Sequence, residues 1–138
     1  MNNQNNWSMA TIIEFRANAG KVGGRFAGKT LLILHTIGAK SGQKHINPVD
    51  YVTYGDRFVI IASKGGAATN PDWYYNIVAN PQVTVEVGTE QFPARASITT
   101  KPERTRLYNK MVEMMPGFAE YQKNTTRIIP VIILSREI

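Results

Sequence analysis

The stretch Ile46-Asn-Pro-Val-Asp-Tyr-Val-Thr-Tyr-Gly-Asp-Arg-Phe-Val-Ile-Ile-Ala-Ser63 decides the fold. Two runs rich in β-branched and aromatic residues flank Gly55-Asp56, a dipeptide suited to a tight hairpin turn. The pattern predicts a strand from Ile46 to Tyr54, with Pro48 near its start, and another from Arg57 to Ser63. Upstream, Leu31-Leu-Ile-Leu-His-Thr-Ile37 reads as a strand buried on both faces, and Gly38-Ala-Lys-Ser-Gly42 as the turn after it. Downstream, residues 82–87 and 91–98 form a second hairpin around Gly88-Thr89. Ile128-Ile-Pro-Val-Ile-Ile-Leu134 is the last strand, and Pro130 within it predicts an edge position or a bulge.

Three helices fit between and before these strands. Ser8 to Gly20 is the first, capped by Ser8 and closed by Gly20. Met9, Ile12, Ile13 and Arg16 share one side of it, giving an amphipathic helix with a basic edge. Asn70 caps a short second helix, with Pro71 at its first position and Asp72 in its first turn. Thr100-Lys-Pro-Glu103 is a capping box that opens a third, running to about Met115 and stopping at Pro116-Gly117. Hairpins dominate and no βαβ unit repeats. The expected class is therefore α+β, an antiparallel barrel-like sheet with a few peripheral helices. The 138 residues fit a single domain, residues 1–138, in which residues 1–7 are a polar tail.

Composition removes several chemistries. There is no cysteine, which excludes thiol catalysis and Cys-ligated zinc and fits a reducing, cytoplasmic setting. The start of the chain lacks a signal-peptide pattern, and no apolar run approaches the roughly 20 residues of a membrane span. His35 and His45 have no metal-binding spacing, so no metal is expected, and His35 reads as a satisfied core histidine. No G-x-S-x-G elbow, Walker loop or G-x-G-x-x-G fingerprint occurs.

The net charge is +6, and Arg16, Lys21, Arg25, Lys29, Lys40 and Lys44 follow one another with no acidic residue between them. Such a field attracts an anion: nucleic acid, anionic lipid or a small multiply charged ligand. Nucleic acid is not expected, because no recognised motif is present and aromatics do not alternate with the basic run.

Two glycine turns could carry a site. In the first, backbone N–H groups, Lys40 and Ser41 suit a phosphate, although an ordinary hairpin loop has the same composition. In the second, Lys64 follows a strand end, Gly65-Gly66 permit close approach, and a helix begins near Asn70. Trp73, Asn76 and Ile77 share a face of that helix. Trp73 could wall a planar ring and Asn76 bond its edge, or Trp73 could simply be core. Tyr121 offers a phenol that can donate a hydrogen bond, or it packs.

Taken in order, Gly38-Ala-Lys-Ser-Gly42, Asn47-Pro48, Ala62-Ser-Lys-Gly-Gly66, Asn70-Pro-Asp-Trp-Tyr-Tyr-Asn76, Ala79-Asn-Pro81, Tyr121 to Arg127 and Ile129-Pro-Val131 resemble the deazaflavin-dependent nitroreductase and quinone reductase family of the flavin-binding split β-barrel superfamily. The resemblance covers about residues 31–134. It implies a split β-barrel that binds the 8-hydroxy-5-deazaflavin coenzyme F-420, which carries a phosphate and an oligoglutamate tail. It implies hydride transfer to a quinone, a nitroaromatic or another activated hydrophobic acceptor. It places Lys40, Ser41 and His45 at the phosphate, and the basic run along the tail. Asn47, Pro48, Ile61, Ala62, Ser63, Lys64, Gly65, Trp73 and Asn76 would line the ring, with Tyr121 at the acceptor. The sequence departs from the family at Ala39, where arginine is usual, and at Met115 and Phe118, where further tyrosines are usual. The pocket is then more apolar and suits a quinone better than a nitro compound. The first helix could either pack on the barrel or touch a membrane holding such quinones. The alternatives are an FMN-dependent split-barrel oxidoreductase and a non-enzymatic deazaflavin-binding protein.

Overall fold

A computed structural model describes residues 6–21 and 31–137. Its elements are α1 (Asn6–Ala17), β1 (Leu31–Ile37), β2 (Lys44–Asp50), β3 (Val52–Tyr54), β4 (Arg57–Ile61), a 3-10 turn (Lys64–Gly66), α2 (Asp72–Ala79), β5 (Gln82–Val87), β6 (Glu90–Ile98), α3 (Glu103–Met114), α4 (Gly117–Lys123) and β7 (Val131–Arg136). All strand pairs are antiparallel, and the seven strands run in the order β2-β1-β5-β6-β7-β4-β3. This is the expected α+β split β-barrel.

The strand order forces the curl. β2 and β3 lie on opposite edges of the sheet, yet only Tyr51 separates them in the chain. A flat seven-stranded sheet would hold its outer strands about 29 Å apart, at about 4.8 Å per step. Two residues of chain reach at most about 7 Å. The edges must therefore meet, and the single strand expected from Ile46 to Tyr54 is two strands with a joint at Tyr51. Pro48 is tolerated in β2 because that strand is an edge of the hydrogen-bonded order.

Alternation then assigns the core. Leu32 and Leu34 of β1, Ile60 of β4, Val83 and Val85 of β5, and Ile132 and Leu134 of β7 form the interior cluster. Val59 and Ile61 of β4 and Val131 and Ile133 of β7 point the other way, under Leu107 and Met111 of α3 and Phe118 of α4. Both faces of β4 and β7 are covered, which is why these strands read as unbroken apolar runs. One helix is not peripheral: α2 places Trp73 and Ile77 in the interior cluster.

Several local expectations are corrected. α1 begins at Asn6, so it takes in Asn6 and Trp7, and residues 1–5 lie outside the described residues. Its buried apolar side chains are Ile12 and Phe15, packed on Leu31 and Ile33, while Ile13 is exposed. Of the two uses foreseen for this helix, packing on the sheet is the one observed. Pro130 precedes β7, and β7 is a central strand rather than an edge. Neither Asn70 nor Thr100 makes a side-chain cap: α2 follows Pro71 and α3 follows Pro102. The segment after Pro116 forms the additional helix α4. Among the described residues no helix is long and apolar enough to cross a membrane.

Candidate functional site

Two depressions adjoin at the start of α2. The larger, about 740 Å³, is lined mainly by polar residues. The turn after β1 gives it Lys40 and Ser41, the start of β2 gives His45, and α2 gives Asp72 and Asn76. Asn76 holds the turn in place. Its Oδ1 accepts the Ala39 N–H at 2.9 Å, and its Nδ2 donates to the buried Thr36 hydroxyl at 3.0 Å. Gly38 leaves a cradle: a Cβ there would collide with Ser41 Oγ and lie 3.0 Å from His45 Nε2. A hydroxyl and an imidazole nitrogen thus converge over bare backbone, with the exposed Lys40 beside them.

The smaller depression, about 250 Å³, mixes flat apolar walls with polar side chains, Asp50 among them. Pro48, Ile61, Ser63, Lys64, Trp73, Phe118 and Tyr121 all contribute to it. Lys64 has φ +49°, a left-handed conformation that costs a non-glycine residue roughly 1–2 kcal/mol. Its Nζ donates to Thr69 Oγ1 at 3.3 Å. Gly66, at φ +84°, packs so closely on α4 that an added Cβ would sit 2.8 Å from the Tyr121 carbonyl oxygen. Tyr121 in turn stands edge-on to Phe118, with ring centroids 5.2 Å apart.

Most of the expected site residues gather here, in two groups. Lys40, Ser41, His45 and Asn76 line the polar groove; Pro48, Ile61, Ser63, Lys64, Trp73 and Tyr121 line the second pocket. Asn47 and Ala62 line neither, and the surroundings of Gly65 lie outside what is described. Ala62 is fully buried, and its main chain is engaged by Pro130 and Arg127. Asn76, expected at a ring edge beside Trp73, makes one bond from each end of its amide, to Ala39 and Thr36, and lines the larger groove. Met115 packs among the side chains under α3, whereas Phe118 reaches the pocket wall.

The sequence reading missed two clusters. Arg127 binds four oxygens of the loop from Ala62 to Asn70, and nothing adjacent to it in the chain signals this. Arg16 forks onto Glu86 at 3.0 and 2.7 Å, and His35 Nε2 lies 2.6 Å from the same carboxylate. Hydrogen bonding from Arg16, more than that from His35, holds the Glu86 carboxyl below the usual glutamate range. His35 is satisfied, as foreseen, but half-buried rather than in the core. Arg16 is neutralised from outside the basic run, leaving Lys21, Lys40 and Lys44 as its exposed described members; Arg25 and Lys29 lie outside the described residues.

Residues 7–136 match the family model described as F420H(2)-dependent quinone reductase. The chain belongs to the F420H(2)-dependent quinone reductase family. An F420H(2)-dependent quinone reductase of Mycobacterium tuberculosis (strain H37Rv) is 38% identical over 130 residues, 88% of this chain and 85% of that protein. A solved structure of an F420-H2 dependent reductase is similar at 38% identity and a TM-score of 0.71, over 77% of this chain and 94% of the other. Another, described as a domain-swapped dimer, is similar at 36% identity and a TM-score of 0.72, over 92% and 93%.

The donor set fits the coenzyme of this family. The cradle over Gly38 and the Lys40 ammonium suit an anionic group, and the walls at Pro48, Ile61 and Trp73 suit a flat ring. The family match names F420H(2) as the reductant and a quinone as the acceptor, so it supports neither the FMN alternative nor a nitro compound.

Proposed function

We propose that coenzyme F-420 lies across both depressions, its phosphate over the Gly38 cradle and its deazaflavin against Pro48, Ile61, Trp73 and the Lys64 turn. Family membership makes the chain an oxidoreductase that takes hydride from the reduced coenzyme and delivers it to a quinone. The observation that carries the placement is the junction at α2. Pro71 and Trp73 line one depression while Asp72, between them, lines the other. One elongated ligand can therefore contact both.

The reduced deazaflavin supplies the hydride, so the chain needs no nucleophile or metal. Its residues bind and orient. Lys40, Ser41 and His45 neutralise and hydrogen-bond the phosphate. Trp73 and Pro48 fix the plane of the ring, leaving the side toward Phe118 and Tyr121 for the acceptor. Orienting two reactants in this way accounts for much of the barrier reduction in such transfers. The Tyr121 hydroxyl donates a hydrogen bond to the quinone oxygen as negative charge develops there. Phe118 beside it favours an apolar acceptor.

The test is a titration with reduced coenzyme F-420 followed by reoxidation on addition of menadione. Lys40→Ala should raise KM for the intact coenzyme, with a shallower salt dependence, and leave a deazaflavin that lacks both phosphate and tail unaffected. Tyr121→Phe should lower kcat about tenfold, the loss of one hydrogen bond of about 1.4 kcal/mol. Failure of the wild-type chain to bind at micromolar concentration would sink the proposal. Unchanged kcat in Tyr121→Phe would remove that residue from the acceptor site.

A further inference from the structure

We propose that Arg127 is a positioning residue that sets the shape of the ring pocket by bracing the loop from Ala62 to Asn70. Its Nε donates to the Ala67 carbonyl at 2.9 Å. One terminal nitrogen donates to the Ala62 carbonyl at 3.2 Å and to Asn70 Oδ1 at 2.7 Å. The other donates to the Ser63 carbonyl at 2.7 Å. The fork therefore grips the start, middle and end of one loop. That loop holds Lys64 at φ +49°, with Gly66 at φ +84° two residues on. For glycine such a φ is ordinary, but the left-handed conformation of Lys64 persists only where surrounding contacts impose it. Asn70, expected to cap α2, serves as an acceptor for this guanidinium.

The brace is itself anchored. The Arg127 carbonyl accepts Gln122 Nε2 at 2.8 Å. Gln122 Oε1 accepts from Arg104 at 2.7 Å and from the Ile129 N–H at 3.1 Å. The buried Arg104 also donates to the Ile129 carbonyl at 2.8 Å. Gln122 neighbours Tyr121 on α4, and Gly66 packs directly on the Tyr121 main chain. Arg127 thus joins the Lys64 turn and the Tyr121 helix into one unit, the two sides of the ring pocket. Lysine cannot substitute, because one ammonium cannot present a planar fork to four acceptors. The inference rests on this pocket being the ring site.

The experiment compares the full-length wild type with Arg127→Lys, Arg127→Ala and the milder Asn70→Ala, which removes a single arm. Trypsin cleavage between Lys64 and Gly65, followed by mass spectrometry, reads the loop without any coenzyme. The Arg127 variants should be cut about tenfold faster, since cleavage tracks the population of the opened loop. KM for reduced coenzyme F-420 should rise by a similar factor, with kcat falling too as Tyr121 shifts. Asn70→Ala should fall between these and the wild type, and keeps the test alive if Arg127→Ala does not fold. Unchanged cleavage in a folded variant overturns the brace. Faster cleavage with unchanged KM and kcat overturns its role in the site. Absence of coenzyme binding by the wild type counts against the placement of the coenzyme, while the cleavage rates still judge the brace.

Discussion

The two glycine turns bordering the start of α2 are held in opposite ways. The first closes on itself: Gly42 N–H bonds the Gly38 carbonyl at 3.0 Å, and Gly38 N–H bonds the Gln43 carbonyl at 2.7 Å. Asn76 adds one bond to its main chain, at Ala39. The second has its own short bonds, from Gly66 to Ser63 and from Ala67 to Lys64, but it carries two left-handed residues and needs Arg127 from about 60 positions away. The difference follows from what each turn offers a ligand. A self-closed hairpin presents Lys40, His45 and the Ser41 hydroxyl, whose oxygen accepts the Gln43 N–H at 3.1 Å and whose proton can still be donated, to an anion. A braced loop presents a shaped main-chain surface, which is what the face of a ring needs.

The largest effect should come from breaking the crowded turn. Gly66→Ala forces an alanine into the left-handed region, at about 1–2 kcal/mol, and drives its Cβ to 2.8 Å from the Tyr121 carbonyl oxygen. Relieving that overlap adds about 1–3 kcal/mol, because the obstacle is main chain that cannot rotate away. Gly42→Ala is the matched control. Its φ is +70°, but nothing lies within 4 Å of the added Cβ, so only the conformational cost of about 1–2 kcal/mol applies. Denaturant unfolding of both variants, with coenzyme KM, measures the contrast. Equal losses would show that the two turns are not built differently.

A smaller effect is expected at the amide that ties the first turn to α2. Asn76→Ala strips a partner from the Ala39 N–H and from the Thr36 hydroxyl, and Thr36 is only 2% exposed. Leaving a buried polar group unpaired costs about 1–3 kcal/mol. KM for the intact coenzyme should rise, while cleavage at Lys64 stays at the wild-type rate. Faster cleavage in Asn76→Ala would mean that the turns are mechanically coupled.

Much of this was legible in the sequence because it is local. Gly55-Asp56 and Gly88-Thr89 mark their hairpins, and the strands flanking each pair as expected. Each glycine turn stands out as a candidate anion or ring site, the first by its glycines and lysine and the second by glycine, lysine and a helix start within a few residues, and the family resemblance joins the two. What the sequence hid is set by the closed sheet. The joint at Tyr51 follows only from β2 and β3 lying on opposite edges. The expected capping role of Asn70 fails, and the bracing bonds of Asn76 go unread, because a side-chain amide serves equally well as a cap, a ligand contact or a brace, and only the tertiary partner decides. Arg127 and Glu86 gave no signal, since their partners are brought to them by strand pairing.

The smallest effect should come from that hidden second cluster, which lies outside both depressions and so controls for general loosening. The folded chain holds the Glu86 carboxyl below the usual glutamate range, chiefly through the Arg16 hydrogen bonds. In acid the unfolded chain therefore binds a proton that the folded chain still refuses, and stability falls as pH drops. The contribution is complete in neutral solution and is lost as pH falls from the ordinary glutamate range through the lower folded value. Glu86→Gln removes it at every pH. Arg16 is about half exposed, with a side-chain exposure of 49%, so water screens the pair. The loss at neutral pH should then be no more than about 1 kcal/mol. Wild type and variant should converge in acid, with coenzyme KM and cleavage at Lys64 unchanged in neutral solution. A rise in either would show that anchoring α1 on the sheet also shapes the site, and that the contrast between the two turns depends on more than their own contacts.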